Sequence, residues 1–253
     1  PSYNVEKFLN QTLDSFVCDE AVMKKFEVIV VDDGSKDNTA KIGKEYADKY
    51  PDTFRVISKE NGGHGSTINC GIRNAVGKYF KVVDGDDWVN TADFVKLVED
   101  LEKTESEYVF TNYYEYYDDV NRQKAVDFPQ FKDGTEYDFA DVANKVYIPM
   151  HALVIKTSVL KDNNIVIDEK CFYVDVEYVM FPVPFVNKVT FFDLHVYMYR
   201  LALSTQSVSI LGFQKHINDH LRVTFHMFDF YRDYISSDKA DSAKADYMRT
   251  CIA

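Results

Sequence analysis

Cysteine, basic side chains and long apolar runs are all scarce in this sequence. Four cysteines, Cys18, Cys70, Cys171 and Cys251, stand far apart among 253 residues and form no CxxC pair. That scarcity argues against a disulfide scaffold and a cysteine-built metal site, and favours a reduced, cytoplasmic protein. Twenty-nine Lys and Arg against 41 Asp and Glu give a formal net charge of -12. Binding to nucleic acid needs a cationic surface that releases counterions, so nucleic acid is not an expected partner. The same deficit argues against a purely electrostatic hold on anionic lipid, while leaving a local basic patch or a lipid-linked substrate open. No apolar run reaches the length of a membrane span. What is present is a globular composition, 46% hydrophobic and 28% charged, on a chain long enough for one large α/β domain or two small ones.

Both ends read as cut. Pro1 opens directly in a turn-like Pro1-Ser2-Tyr3-Asn4, and Cys251-Ile252-Ala253 follows an amphipathic stretch with no closing signal. A segment of a longer chain is therefore expected. The first half alternates strand and helix signals. Helical spacing runs from Val5 to Val17, and Phe26 to Val31 is a short β-branched run fit for a strand buried on both faces. A helix is predicted from Asp37-Asn38-Thr39 to about Tyr50, a strand at Phe54 to Ser58, and a helix at Gly65 to Val76 closed by Gly77. Lys78 to Val83, Thr91 to Lys103 and Glu107 to Asn112 follow as strand, helix and strand. This alternation predicts a mainly parallel sheet with covered faces. From Tyr113 to about Asp133 no period is visible. Two β-rich pieces (Ala152 to Lys156, Val189 to Tyr199), an apolar helix-like segment (Val174 to Phe185) and a long amphipathic helix (Phe213 to Tyr234) complete the reading. The expected organisation is one domain over 1–210 with a helical extension over 211–253.

Carboxylates cluster where strands are predicted to end. Asp32-Asp33-Gly34-Ser35 follows Val28-Ile29-Val30-Val31, and ligands in open α/β sheets bind beyond the carboxyl ends of strands. Asp32 and Asp33 there could accept hydrogen bonds from a base N–H or a ribose hydroxyl, or form only a polar turn into a capped helix. Asp84-Gly85-Asp86-Asp87 ends a second apolar strand. Three carboxylates within four residues repel one another, and a divalent cation held by oxygen ligands offsets that repulsion. Asp84 and Asp86 could approach one Mn2+ or Mg2+ ion while Gly85 lets the backbone come close to a ligand. The weaker alternative is a solvated acidic turn before the Thr91 helix. In Tyr173-Val174-Asp175-Val176-Glu177 carboxylates alternate with apolar residues. Asp175 could act as a base with a raised pKa, or Asp175 and Glu177 could serve a helix start. Asn61-Gly62-Gly63-His64-Gly65-Ser66 opens a helix and could face a phosphate, yet it is neither GxGxxG nor GxxxxGK[ST]. His64 and Glu177 are candidate substrate contacts. His216 and His220 lie four apart without an accompanying carboxylate motif, so a packed or surface pair is expected rather than a metal site. Most of the 18 tyrosines and 19 phenylalanines are expected in the core, with a few left to stack on a nucleobase or sugar.

Taken in order, Pro1-Ser2-Tyr3-Asn4, Val30-Val31-Asp32-Asp33-Gly34-Ser35, Asn61-Gly62-Gly63 and Val83-Asp84-Gly85-Asp86-Asp87-Trp88 resemble the family 2 glycosyltransferases of the GT-A fold. The resemblance is strong over Pro1 to Asn112 and weaker to about Ser209. It implies an α/β, Rossmann-like fold with a C-terminal helical appendage, and a short strand before the Pro-Ser-Tyr-Asn turn. It implies that Tyr3 stacks on a nucleobase, that Asp33 reads the uracil N–H with Asp32 beside it, and that Asp84-Gly85-Asp86 is a DxD motif. Asp86 would then bind the metal, Asp84 would lie near the ribose or the ion, and Asp175 would be the general base. Asp87 matches a commonly acidic position that is not a direct ligand. Relatives often carry Arg-Asn after the glycine cluster, where this chain has Ile68-Asn69. No QxxRW motif is present, and Thr205-Gln206-Ser207-Val208-Ser209 stands in the corresponding region, which points to single-sugar transfer.

The implied reaction is an inverting transfer of one hexosyl or N-acetylhexosaminyl group from a nucleotide sugar, UDP-linked, to a hydroxyl of a glycan, a lipid-linked saccharide or a protein. Two alternatives stand beside it: a non-catalytic carbohydrate- or partner-binding domain on a degenerate scaffold, and a sugar-1-phosphate nucleotidyltransferase. The nucleotidyltransferase wants a glycine- and arginine-rich loop that Ser2-Tyr3-Asn4-Val5-Glu6 does not offer. Peripheral contact with the inner membrane face, a homodimer interface and packing onto its own domain are the three uses open to the Phe213 to Tyr234 helix.

Overall fold

The computed structural model describes residues 1–201 and 210–253. The Thr205–Ser209 motif lies outside the described residues. In chain order the elements are helices α1 (Leu9–Asp14) and α2 (Glu20–Met23), strand β1 (Val28–Asp32), α3 (Thr39–Lys49), β2 (Phe54–Ser58) and α4 (His64–Asn74). Short strands β3 (Tyr79–Phe80) and β4 (Trp88–Val89), α5 (Thr91–Leu101), β5 (Tyr108–Tyr117), β6 (Arg122–Val126) and β7 (Thr135–Asp138) follow. The remainder is α6 (Phe139–Ala143), β8 (Leu153–Lys156), α7 (Thr157–Asp162), α8 (Asp175–Met180), a 3-10 turn (Val183–Phe185), β9 (Lys188–Leu201), α9 (Ile210–Lys215), α10 (Ile217–Ile235) and α11 (Ser242–Ile252).

The parallel pairing expected of alternating strands and helices is found at β1 with β2 and at β5 with β9. The larger sheet is mixed: in the order β3-β8-β5-β9-β4, with β6 on β5 and β7 on β9, every pair except β5·β9 is antiparallel. Two of the expected strands change length. Pairing of the Lys78 to Val83 run stops at Phe80, opposite Ile155, because an apolar run becomes a strand only where a neighbour runs beside it. The Glu107 to Asn112 strand continues to Tyr117, through tyrosines that have no apolar period but high β propensity. They pair with β9 on one side and with the β6 hairpin on the other. Asn121, at φ 48°, makes the tight turn of that hairpin. The expected Val5 to Val17 helix is confined to Leu9–Asp14.

Period-two alternation sorts side chains onto the two faces of the sheet. Tyr108, Phe110, Leu153, Ile155 and Phe191 join one apolar core, whereas Val109, Val154, Leu194 and Val196 join the other with Leu9, Leu13, Phe54 and Leu97. Val223 and Met227 of α10 and Tyr247, Met248 and Cys251 of α11 enter the first of these cores. The Tyr247 hydroxyl also accepts the Ile148 N–H at 3.1 Å. The C-terminal helices thus pack back onto the sheet domain, while Ile217, Leu221, Phe225, Phe228 and Ile235 of α10 are exposed. Among the described residues no helix is long and apolar enough to cross a membrane.

The start of α4 and the loop after α7 approach one another as closely as a backbone allows. A Cβ added to Gly65 would lie 1.9 Å from the Asp168 carbonyl oxygen, an atom fixed in the main chain. Gly65→Ala is expected to cost about 3 kcal/mol, the upper range for overpacking where the neighbour cannot yield; the midpoint of urea unfolding checks this.

Candidate active site

The candidate residues converge at the carboxyl ends of β1 and of the Tyr79 to Val83 run, where the starts of α4 and α8 also arrive. On the β1 side, Ser2 forms a parallel bridge with Asp32, and the Asp32 Oδ1 accepts the Ser35 N–H at 3.1 Å. Asp33 is 2% exposed. Its Oδ1 accepts from the Gly62 N–H at 3.0 Å and from Lys59 Nζ at 2.8 Å, and its Oδ2 from the Gly63 N–H at 2.8 Å. Asp33 therefore fastens the Asn61-Gly62-Gly63 loop over the end of β1. Tyr3 is half-exposed at this edge.

On the second strand end, Gly85 is required by the chain itself. A Cβ there would meet Ser2 Oγ at 2.8 Å and the Pro1 carbonyl oxygen at 2.9 Å. His64, the first residue of α4, places Nε2 2.8 Å from Asp84 Oδ1. Burial opposes a charged imidazole there, but the Asp84 charge and hydrogen bond prevail and hold its pKa above the ordinary value. The paired imidazole in turn holds Asp84 down at about 2, against its own burial. Asp86 is pushed up to about 6, first by burial and then by the Asp84 charge. Asp175, at the first position of α8, is also raised, chiefly by burial, with His64 opposing and Asp84 assisting. His64, Asp84 and Asp175 thus share one electrostatic neighbourhood, although about ninety residues separate Asp84 from Asp175 in sequence.

Asp87 plays a different part. Its Oδ2 accepts from the Tyr197 hydroxyl at 2.6 Å and its Oδ1 from the Arg200 N–H at 2.7 Å. Both oxygens are engaged by β9. Arg200 is 4% exposed, and its Nε donates to the Asp86 carbonyl at 2.8 Å. Its other nitrogens reach Gln11 and Asp118, and its guanidinium lies over the rings of Phe8 and Trp88, 4.8 and 4.6 Å from the centroids. Nothing local in the sequence marks this arginine beyond a cation closing an apolar, tyrosine-rich strand. His151 was also missed. It stacks on Tyr199 at 3.8 Å between centroids, and burial lowers its pKa to about 4. Ligand atoms of Asp84, Asp87 and His151 all lie within 4.8 Å of one another. Glu177 is held elsewhere: it is fully buried, with Oε2 accepting the Asp168 N–H at 2.8 Å. His216 sits against the ring of Phe172 and His220 against Tyr173.

Two outcomes follow from this arrangement. Arg200→Met removes the buried guanidinium from the Asp86 carbonyl, Gln11 and Asp118 while keeping the N–H that Asp87 accepts, and is expected to destabilise the fold by about 3 kcal/mol, read by urea denaturation. Lys81 donates to the carbonyls of His151 and Leu153 at 2.7 and 3.2 Å, and burial pushes its ammonium down to about 7. The unfolded chain keeps that proton to about pH 10, so between about pH 7 and 10 the unfolded state binds more protons and stability rises with pH. This contribution is lost as pH falls toward 7. In Lys81→Met the slope of unfolding free energy against pH, measured just above neutrality and below thiol ionisation, is expected to be smaller.

Comparison with known proteins agrees with this geometry. Residues 1–163 match the sequence profile described as Glycosyl transferase family 2. A glycosyltransferase of Bacillus subtilis, EpsJ, is 39% identical over 114 residues, covering 45% of this chain and 32% of that protein. The chain thus spans about a third of that relative. Among solved structures, S. aureus TarS 1–349 in complex with UDP-GlcNAc superposes over 100% of this chain and 69% of its own, with a TM-score of 0.74 at 20% identity. The mannosyltransferase PcManGT from Pyrobaculum calidifontis, in complex with GDP-Man and Mn2+, covers 100% of this chain and 67% of its own, with a TM-score of 0.63 at 17% identity. At these identities the likeness establishes the α/β GT-A fold. With well over half of its length matched by the family profile, the chain belongs to glycosyl transferase family 2.

Proposed function

We propose that this chain carries the catalytic unit of a metal-dependent, inverting glycosyltransferase that moves a single sugar from a nucleotide sugar, UDP-linked, to an acceptor hydroxyl. The acceptor is a glycan, a lipid-linked saccharide or a protein. The observation that carries the reading is the convergence of Asp84, Asp86, His64 and Asp175 at one cluster of strand and helix ends. UDP-GlcNAc bound by TarS and Mn2+ bound by PcManGT support the donor and ion classes, respectively.

The residues present fit a hard divalent cation. Asp86 and Asp84 repel each other, and burial holds Asp86 at about 6, a cost that a bound cation offsets. Asp87, with both oxygens taken by Tyr197 and Arg200, supports the site without joining the ligand set. Asp86, with Asp84 beside it, would hold Mn2+ or Mg2+, which when bound supplies positive charge to the donor diphosphate. Tyr3 offers a half-exposed ring for the nucleobase to stack on, and Asp32, Asp33 and Gly85 shape the strand ends around the nucleoside. His64, whose charged form Asp84 favours, stands at the start of α4, where anionic groups are already favoured. Asp175 takes the proton of the acceptor hydroxyl as that oxygen attacks the far face of the anomeric carbon. Its raised pKa makes it a better base than a solvated carboxylate.

The test is a calorimetric titration of UDP with Mn2+ or EDTA, together with UDP release from UDP-sugars. Removing the ion, or replacing Asp86 by Ala, is expected to weaken UDP binding by about tenfold or more. Asp175→Asn should bind UDP as the unmodified protein does but lose roughly 100-fold or more in turnover. Undiminished turnover in Asp175→Asn would refute the base assignment, and UDP binding indifferent to both EDTA and Asp86→Ala would refute the donor site.

A further inference from the structure

One buried carboxylate joins three separate pieces of chain. Glu177 lies in the first turns of α8 and is closed to solvent. Its Oε2 accepts the Asp168 N–H at 2.8 Å, and its Oε1 lies 3.1 Å from His226 Nδ1 on α10. Asp168 Oδ1 lies 3.3 Å from the same His226 nitrogen, and Asp168 Oδ2 lies 3.3 Å from Arg222 Nε, one turn away on α10. The Ile167–Lys170 segment therefore bears on α8 and α10 together.

The opposite side of that segment is bonded to the glycine-rich start of α4. Asn69 donates to the Ile167 carbonyl at 2.8 Å and accepts the Ile167 N–H at 2.9 Å, and it also donates to Glu169 Oε1 at 3.2 Å. The Lys170 N–H donates to the Gly62 carbonyl at 2.6 Å, and Gly65 fits under the Asp168 carbonyl only because it lacks a Cβ. Lys170 and Tyr173 hold left-handed φ values of 57° and 66°, which a lysine and a tyrosine adopt only under surrounding constraint. Gly62 and Gly63 are in turn held by Asp33, and His64 by Asp84. A continuous set of hydrogen bonds thus runs from the donor-side carboxylates through α4 and the Ile167–Lys170 segment to Glu177, two residues from Asp175.

We propose that Glu177 is a positioning residue: it fixes the first turn of α8, and hence Asp175, against the start of α4, and His226 extends the joint to α10. The inference rests on Asp175 as the base. The ligand atoms of Asp168, Glu177 and His226 also lie within 4.8 Å of one another, a spacing a metal ion would accept. The Asp168 N–H and Arg222 already serve the carboxylate oxygens that point away from His226, which favours a hydrogen-bonded joint between protein groups.

The experiment compares Glu177→Ala and Glu177→Gln with the unmodified chain by amide hydrogen exchange, UDP binding with Mn2+, and UDP release from UDP-GlcNAc. In Glu177→Ala, exchange should quicken across α8, residues 167–170 and residues 62–69 together, while β1 and β2 keep their protection. UDP binding should stay within about twofold while kcat falls by about tenfold or more, the split expected of a misplaced reacting group. Glu177→Gln keeps an acceptor for the Asp168 N–H and should recover most of that loss. Should Glu177→Ala not fold, His226→Ala is expected to give the same exchange pattern in milder form. Faster exchange confined to α8 and α10, or Glu177→Ala with full kcat while Asp175→Asn is inactive, would overturn the inference and leave the base assignment standing. Full turnover in Asp175→Asn would overturn both. Stoichiometric Zn2+ binding that disappears in His226→Ala would overturn it in favour of a metal site.

Discussion

Three carboxylates at the end of one strand repel one another, and the rest of the site depends on how that repulsion is divided. Each acid has a different answer. Asp84 is matched by His64, and Asp87 by the Tyr197 hydroxyl and the Arg200 main chain. Asp86 lies between them with its carboxyl raised. Arg200 contributes to the division from a fixed seat among Phe8, Trp88 and Tyr116. A flexible, solvated cation would screen all three acids alike. A fixed one acts on them unequally: its main-chain N–H serves the Asp87 carboxylate and its Nε the Asp86 carbonyl.

What could be read from the sequence was what local chemistry writes there. Asp32, Asp33, Asp84 and Asp86 could be singled out because a run of acids abruptly ends an apolar strand, and the structure gathers them at two neighbouring strand ends. The same holds for the alternation of strand and helix from Val28 to Leu101, whose partners are near in sequence. Arg200, Tyr197 and His151 were not legible, since their meaning comes from partners about seventy to over a hundred residues away. Asp33 shows a subtler limit. The structure places it at the end of β1, but the sequence could not tell that Lys59, Gly62 and Gly63 would surround it. Strand lengths failed for a related reason. An apolar pattern says which residues seek burial, not whether a neighbour will run beside them, so the Lys78 to Val83 strand was read too long and the Glu107 to Asn112 strand too short.

Two glycines at the site mark contacts within the protein rather than open space for a ligand. Gly85 admits Pro1 and Ser2, and Gly65 admits the Asp168 carbonyl. Both contacts bring segments distant in sequence to the rim of the carboxylate cluster, so the fold uses missing side chains to set the distance between its two halves. The Ile167–Lys170 segment is consequently as much a part of the site's framework as either strand end, although it carries none of the expected chemistry.

The parallel pairing of β5 with β9 has a consequence for how the molecule comes together. Val109 lies opposite Thr190, so this central pair closes a long loop before it gains any contact energy, whereas β1, α3 and β2 need only short ones. During synthesis the acidic strand end at Asp84 to Asp87 is made well before Arg200. Until β9 arrives, that end is a self-repelling patch with no counter-charge from β9, and collapse around it is disfavoured. The late strand therefore acts as a checkpoint: the pocket acquires its shape in the same step in which the sheet is completed.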